Sequence, residues 1–249
     1  MSVWSDERMD SSDFLAALVR DGNAFRVAAA SAPLNAQVPS CPGWTNADLV
    51  AHLSEVHYFW AAVVTDRVTG WAQVSRAERA PDAELLSRYD ETFARVMEVL
   101  AATDPATQVW TWSEQQDAAF VIRRMAQETA IHCWDAALTA GRQVSVDAQL
   151  ASDGIDEFLQ HFLPNVAVGA EPVAGSVHIH CGDTPGEWTI RPAAEGYDIT
   201  REHAKGDCAL RGDASNLLLV LWRRLGPGAI DVVGDTGVAE RFLAATNLD

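Results

Sequence analysis

The chain has 249 residues, is 48% hydrophobic and carries a formal charge of -17. That length supports a sizeable core or two modest domains, while so acidic a surface repels nucleic acid and anionic membranes. No apolar run reaches transmembrane length, and the polar, acidic start MSVWSDERMDSSDF is not a signal-peptide pattern, so a soluble cytoplasmic protein without nucleic-acid or membrane partners is expected.

The first part reads as long helices. Residues 12–30 place Phe14, Leu15, Leu18 and Phe25 at apolar positions. A second helix begins at Thr45, where Thr45 and Asp48 have the spacing of an N-terminal cap with an acidic third residue. Leu49, Leu53, Val56, Trp60 and Val63 then recur at helical spacing. The stretch before it, VPSCPGWT, forms a hook. Pro42 and Gly43 set a tight turn, and Trp44 packs as a staple that fixes how the helix enters. A third helix starts near Pro81 and continues through Leu85, Tyr89, Phe93 and Val96. The fourth spans residues 117–140 and stops at Gly141. Four such helices predict an antiparallel bundle over residues 1–145.

After Gly141 the pattern changes. A helix is expected over residues 147–162. SVHIHC, EWTIRP and GYDITRE read as strands between Gly- and Pro-containing turns. DASNLLLVLWRRL is helical, AIDVVGD is a strand and TGVAERFLAAT is a last helix. Residues 146–249 thus read as a small α+β domain, and the whole as a two-domain α+β chain.

Cys41, Cys133, Cys181 and Cys208 form no CxxC pair and no dense disulfide framework. A reduced chain in which the cysteines serve packing is expected.

The chemistry-bearing residues concentrate in the bundle. Glu128 and His132 lie four apart and share a helix face, with Val121, Met125 and Asp135 on or near it. A buried carboxylate needs a partner. Either the pair is an ordinary Glu–His contact, or His52, inward-facing one turn after Leu49, joins it to hold a divalent metal. The residues alone leave both readings open. Asp135 either orients His132 or begins a solvated edge. His57, five residues past His52, is read as a surface or edge residue. His178 and His180 share one strand face, which is expected to be half exposed; an HxH pair can bind metal, but no third ligand is evident in the sequence. Arg223 and Arg224 end an apolar helix, where a C-terminal charge is the plain reading.

The hook VPSCPGWTNADLVAHL and the block ETAIHCWDA resemble the mycothiol-dependent maleylpyruvate isomerase family, as do SVHIHCGDTPGEWTI and LRGDASNLLLVLWRRL in the second half. The resemblance spans nearly the whole chain and implies a DinB-like metal-binding bundle followed by a C-terminal α+β domain. It places metal ligands on His52, Glu128 and His132, and it implies that one of Arg223 and Arg224 reaches a substrate carboxylate, with Arg224 the catalytic candidate. Few anion donors are evident on the metal face of the bundle, so the C-terminal domain is expected to supply such cations.

Three ligands leave open positions, the layout of a catalytic zinc site. Zinc favours a bound thiolate, whereas a free thiol with a pKa of about 8.5 is mostly protonated at neutral pH. The resemblance implies mycothiol as thiol cosubstrate and a small electrophile as substrate, with cis–trans isomerisation or S-transfer as outcome. A monomer or small homo-oligomer is expected. A hydrolase using metal-bound water and a non-enzymatic metal-binding regulator are the rival readings. The same donor set also suits non-haem iron.

Overall fold

The computed structural model describes residues 9–74, 78–166, 173–194 and 196–246; the polar start at residues 1–8 lies outside them. Met9–Val144 forms one compact unit, and the chain from Ser145 onward belongs to a second.

The first unit is a four-helix bundle of α1 (Ser11–Ser31), α2 (Asn46–Asp66), α3 (Leu85–Ala102) and α4 (Ala118–Thr139). Its boundaries follow local chemistry. Asp10 and Asp13 close a capping box at α1, and Thr45 and Asp48 form the expected one at α2. The Asp117 side chain accepts from the Phe120 N–H at the start of α4. Gly141, at φ 72°, takes the left-handed conformation just past the α4 terminus. At α3 the expectation is off by a turn. Pro81 precedes a 3₁₀ turn at Asp82–Glu84, and the α-helix begins only at Leu85. The Glu84 N–H bonds the Pro81 carbonyl, tightening that turn, and no side chain caps it.

Helix α1 packs on α4 and α2 on α3. Phe25, Leu49, Val50, Leu53, Leu85 and Tyr89 lie in one buried cluster, with Cys41 and Trp44 of the hook packed against it. Gly22 marks where α1 comes close to α3: a Cβ there would strike the Phe93 ring, and the Gly22 carbonyl accepts from the Tyr89 hydroxyl at 2.9 Å.

The second unit holds α5 (Ala148–Glu157), which runs through a π-helical turn (Phe158–Phe162) into α6 (Leu163–Val166). A five-stranded sheet follows, of β1 (Val177–Cys181), β2 (Glu187–Pro192), β3 (Tyr197–Thr200), β4 (Cys208–Gly212) and β5 (Asp231–Gly234), in the order β3-β2-β1-β4-β5. Only the β1–β4 pairing is parallel. Helices α7 (Ala214–Leu221) and α8 (Thr236–Ala245) complete the unit and pack on β4. β4 was not expected. CALRG lacks β-branched residues, and its strand conformation comes from pairing with β1 and β5. Helix α7 ends four residues before the expected limit because Arg223 turns to φ 58°. Among the described residues no helix is long and apolar enough to cross a membrane.

Candidate metal centre

The bundle brings His52 of α2 and Glu128 and His132 of α4 together. Glu128 Oε1 lies 3.1 Å from His52 Nε2 and 3.2 Å from His132 Nε2. Each residue offers one ligand atom, and the three atoms lie within 4.8 Å of one another. Two imidazole nitrogens converging on one carboxylate oxygen is the donor chemistry of a divalent transition-metal site. Helical spacing aligns Glu128 with His132; the docking of α2 on α4 adds His52.

The surroundings orient these groups. Asp135, fully buried, lies 2.9 Å from His132 Nδ1. It is an orienting acceptor, not the start of a solvated edge. With Nδ1 engaged by Asp135, Nε2 is the nitrogen that faces Glu128. Asp135 is itself gripped by the hook, accepting from Ser40 Oγ at 2.6 Å and Cys41 Sγ at 3.5 Å. Trp44 stacks near His132 with ring centroids 6.2 Å apart and tilts against His52 at 4.9 Å. The hook thus steadies both histidines, a closer role than the entry turn read from sequence. Arg124, one helical turn before Glu128 and buried, donates to Glu128 Oε2 at 2.9 Å. Sequence reasoning passed over Arg124, although its i, i+4 spacing to Glu128 was visible.

Burial alone pulls the His132 imidazole down. The hydrogen bonds to Asp135 and Glu128 and their charges outweigh it, leaving the pKa raised to about 9. Burial pushes Glu128 up, but its bonds to His132 and His52 and the Arg124 charge hold it well below the usual carboxylate range.

Two placements differ from expectation. His52 sits at the rim of α2, its side chain 34% exposed, so the site opens outward. His57 is no surface residue: it is 0% exposed, bonds Thr129 Oγ1 at 3.0 Å and lies among Tyr89 and Phe93. Burial pushes its imidazole down to about 3. A rotation of about 140° from a rim residue leads into the core. A cleft of about 230 Å³ lies beside His52, lined by Trp44, Asp48, Tyr58, Arg79 and Arg88 among others. The bundle therefore carries its own cations near His52, contrary to the sequence expectation, though Arg79 pairs with Asp48 and Arg88 with Glu91.

Arg224 belongs to the other unit. It follows the α7 C-terminus and donates to the Trp222 carbonyl at 2.9 Å. Arg223 binds the carbonyls of Val220 and Leu221 and reaches Leu243 and Thr246 at the end of α8, a structural clamp. His178 and His180 share a face of β1 as expected, but His178 is buried. All four cysteines are free thiols. Burial raises Cys133 and Cys181 to about 12 and Cys208 to about 11, which keeps them protonated.

No curated protein sequence matches the chain. Two crystal structures do, those of the mycothiol-dependent maleylpyruvate isomerase and of a histidine-to-alanine mutant of it. Each has a TM-score of 0.64 and 14% identity, over 90% of this chain and 93% of that one; at that identity the likeness is one of fold. The model of the mycothiol maleylpyruvate isomerase N-terminal domain matches residues 15–137, and that of the corresponding C-terminal domain matches residues 149–241. With both halves matched in order, the chain belongs to the mycothiol-dependent maleylpyruvate isomerase family.

Proposed function

We propose that the protein is a metal-dependent, thiol-using enzyme acting on a small electrophile, by cis–trans isomerisation or S-transfer, with mycothiol as cosubstrate. The observation that carries the metal is the convergence of His52 Nε2 and His132 Nε2 on one oxygen of Glu128. Family membership and the solved isomerases support the thiol and the reaction class. Zinc suits two imidazoles and a carboxylate with positions left open.

A divalent ion held there would supply a Lewis-acid position at which a thiol sheds its proton at neutral pH. The protein's own groups do the rest. Asp135 engages His132 Nδ1, and Arg124 fixes the second oxygen of Glu128, so the donors need no rearrangement. Trp44 covers the imidazoles on one side and limits water there. The rim position of His52 leaves the cleft as the approach for thiol and electrophile. We place a substrate carboxylate on Arg224, for which a guanidinium gives bidentate recognition. The expected setting is soluble and cytoplasmic.

The test is turnover by metal-reconstituted protein against a panel of electrophiles, with and without mycothiol, together with elemental analysis of His52→Ala and His132→Ala. Thiol-dependent turnover that both variants lose along with their metal is expected. Full turnover without thiol would replace the reading with a hydrolase, and wild-type metal content in both variants would remove the site. Arg224→Ala is expected to raise KM far more than it lowers kcat.

A further inference from the structure

The second unit contains another convergence of donors, outside the bundle and independent of it. Strand alternation sends Val177, Ile179 and Cys181 of β1 to the buried face shared with Trp188, Ile190, Cys208 and Leu210. His178 and His180 point the other way. The antiparallel register sets Glu187 of β2 directly opposite His180, on that same face. His203, just past β3, brings Nδ1 to 3.1 Å from both Glu187 oxygens. The three imidazole rings stand 5.4 to 6.4 Å apart, centre to centre.

We infer that His178, His180, Glu187 and His203 form a second divalent-metal site, of zinc-like chemistry, that pins the segment after β3 to strands β1 and β2. Each residue offers one ligand atom, and all four atoms lie within 4.8 Å of one another. Donors around a tetrahedral ion at about 2.0–2.1 Å stand roughly 3.3 Å apart, so a modest contraction completes the shell. His203 can supply it, because its side chain is 74% exposed.

The hydrogen bonding is incomplete in a way that points to a cation. His178 is 3% exposed, and its Nε2 is buried with no hydrogen-bond partner. His180 Nδ1 crowds Glu187 Oε1, on the same carboxylate that His203 Nδ1 approaches. A buried polar atom without a partner is costly. Glu187 engages His203 and His180 but leaves His178 Nε2 without a partner, whereas one ion would accept a lone pair from each donor. Arg211, opposite His180 on β4, is the nearby opposing charge. Four protein donors fill a tetrahedral shell, so this site is structural, in contrast to the open one in the bundle.

The test uses the full chain, dialysed against micromolar free zinc and measured by elemental analysis. The His52→Ala/His132→Ala double variant is expected to retain about one equivalent. Adding His180→Ala and His203→Ala should abolish it. Cobalt in the first double variant should show the intense visible absorption of a tetrahedral ion. His203→Ala alone, an exposed change that spares the fold, should weaken this binding by about tenfold or more. Failure of the bundle site is read separately, in the His180→Ala/His203→Ala protein. A His52→Ala/His132→Ala variant that binds no ion, or one whose binding is unmoved by His203→Ala, would overturn the inference.

Discussion

His57 makes the stability of the bundle depend on mild acid. Its imidazole is completely buried, and desolvation, the largest influence, pushes it down from the ordinary 6.5 to about 3. The charges of His132 and His52 act in the same direction, and Glu128 opposes them. Below pH 6.5 the unfolded chain takes up a proton that the folded chain refuses. The stabilisation from burying His57 neutral is therefore fully present above that pH and is lost as pH falls from 6.5 toward 3. Linkage gives a loss of about 2 kcal/mol between pH 7 and pH 5 from this one group. Other groups titrate too, so the measurement is a comparison with His57→Gln, which cannot titrate but can still bond Thr129. Urea unfolding of both proteins, with chelator present and helical circular dichroism as signal, is run at pH 7, 6 and 5. Wild type should lose about 2 kcal/mol more than the variant over that range. Parallel losses in the two proteins would refute a neutral, buried His57.

Asp135→Asn should weaken metal binding in the bundle about 10–100-fold, by offering His132 a donor where it needs an acceptor; chelator competition measures it, and unchanged affinity would remove the orienting role. A variant with all four cysteines replaced should keep thiol-dependent turnover, since three of the thiols are held protonated by burial. Loss of activity in a folded Cys41→Ser protein would instead put the nucleophile on the chain. Gly22→Ala drives a methyl group into the Phe93 ring and should cost about 1–3 kcal/mol by overpacking, an effect that Phe93→Leu should relieve in the double variant. Tyr89→Phe should cost about 1 kcal/mol for the bond to the Gly22 carbonyl, measured by urea titration.

The helices of the bundle were legible because their ends are written locally. Thr45 with Asp48, Asp117, and Gly141 each act within one turn of the chain. Strand β4 was not, because Cys208–Gly212 owes its conformation to β1 and β5 on either side. Glu128 and His132 could be paired by counting four residues, and Arg124 could have been found the same way. That His52 meets them depends on how α2 docks. His57 was misread by taking His52 as the centre of the inward face, when it marks the rim. The missing partner of the HxH pair was partly countable, since the hairpin register sets Glu187 against His180. His203 arrives by the path of the chain after β3, which no spacing rule predicts.

The bundle site is also a long-range closure. His52 and Glu128 are 76 residues apart, and the hook reaches Asp135 across 95. Helices that form without docking leave both separations open, so a collapsed but loosely packed chain would keep its helical signal and have no site. An ion taken up there therefore discriminates between a helical chain and a docked one. Because it binds the docked state alone, it would deepen that state by about 2.7 kcal/mol at a free concentration of about a hundred times its Kd. Metal supply would then set how long the bundle stays closed, apart from any turnover it supports.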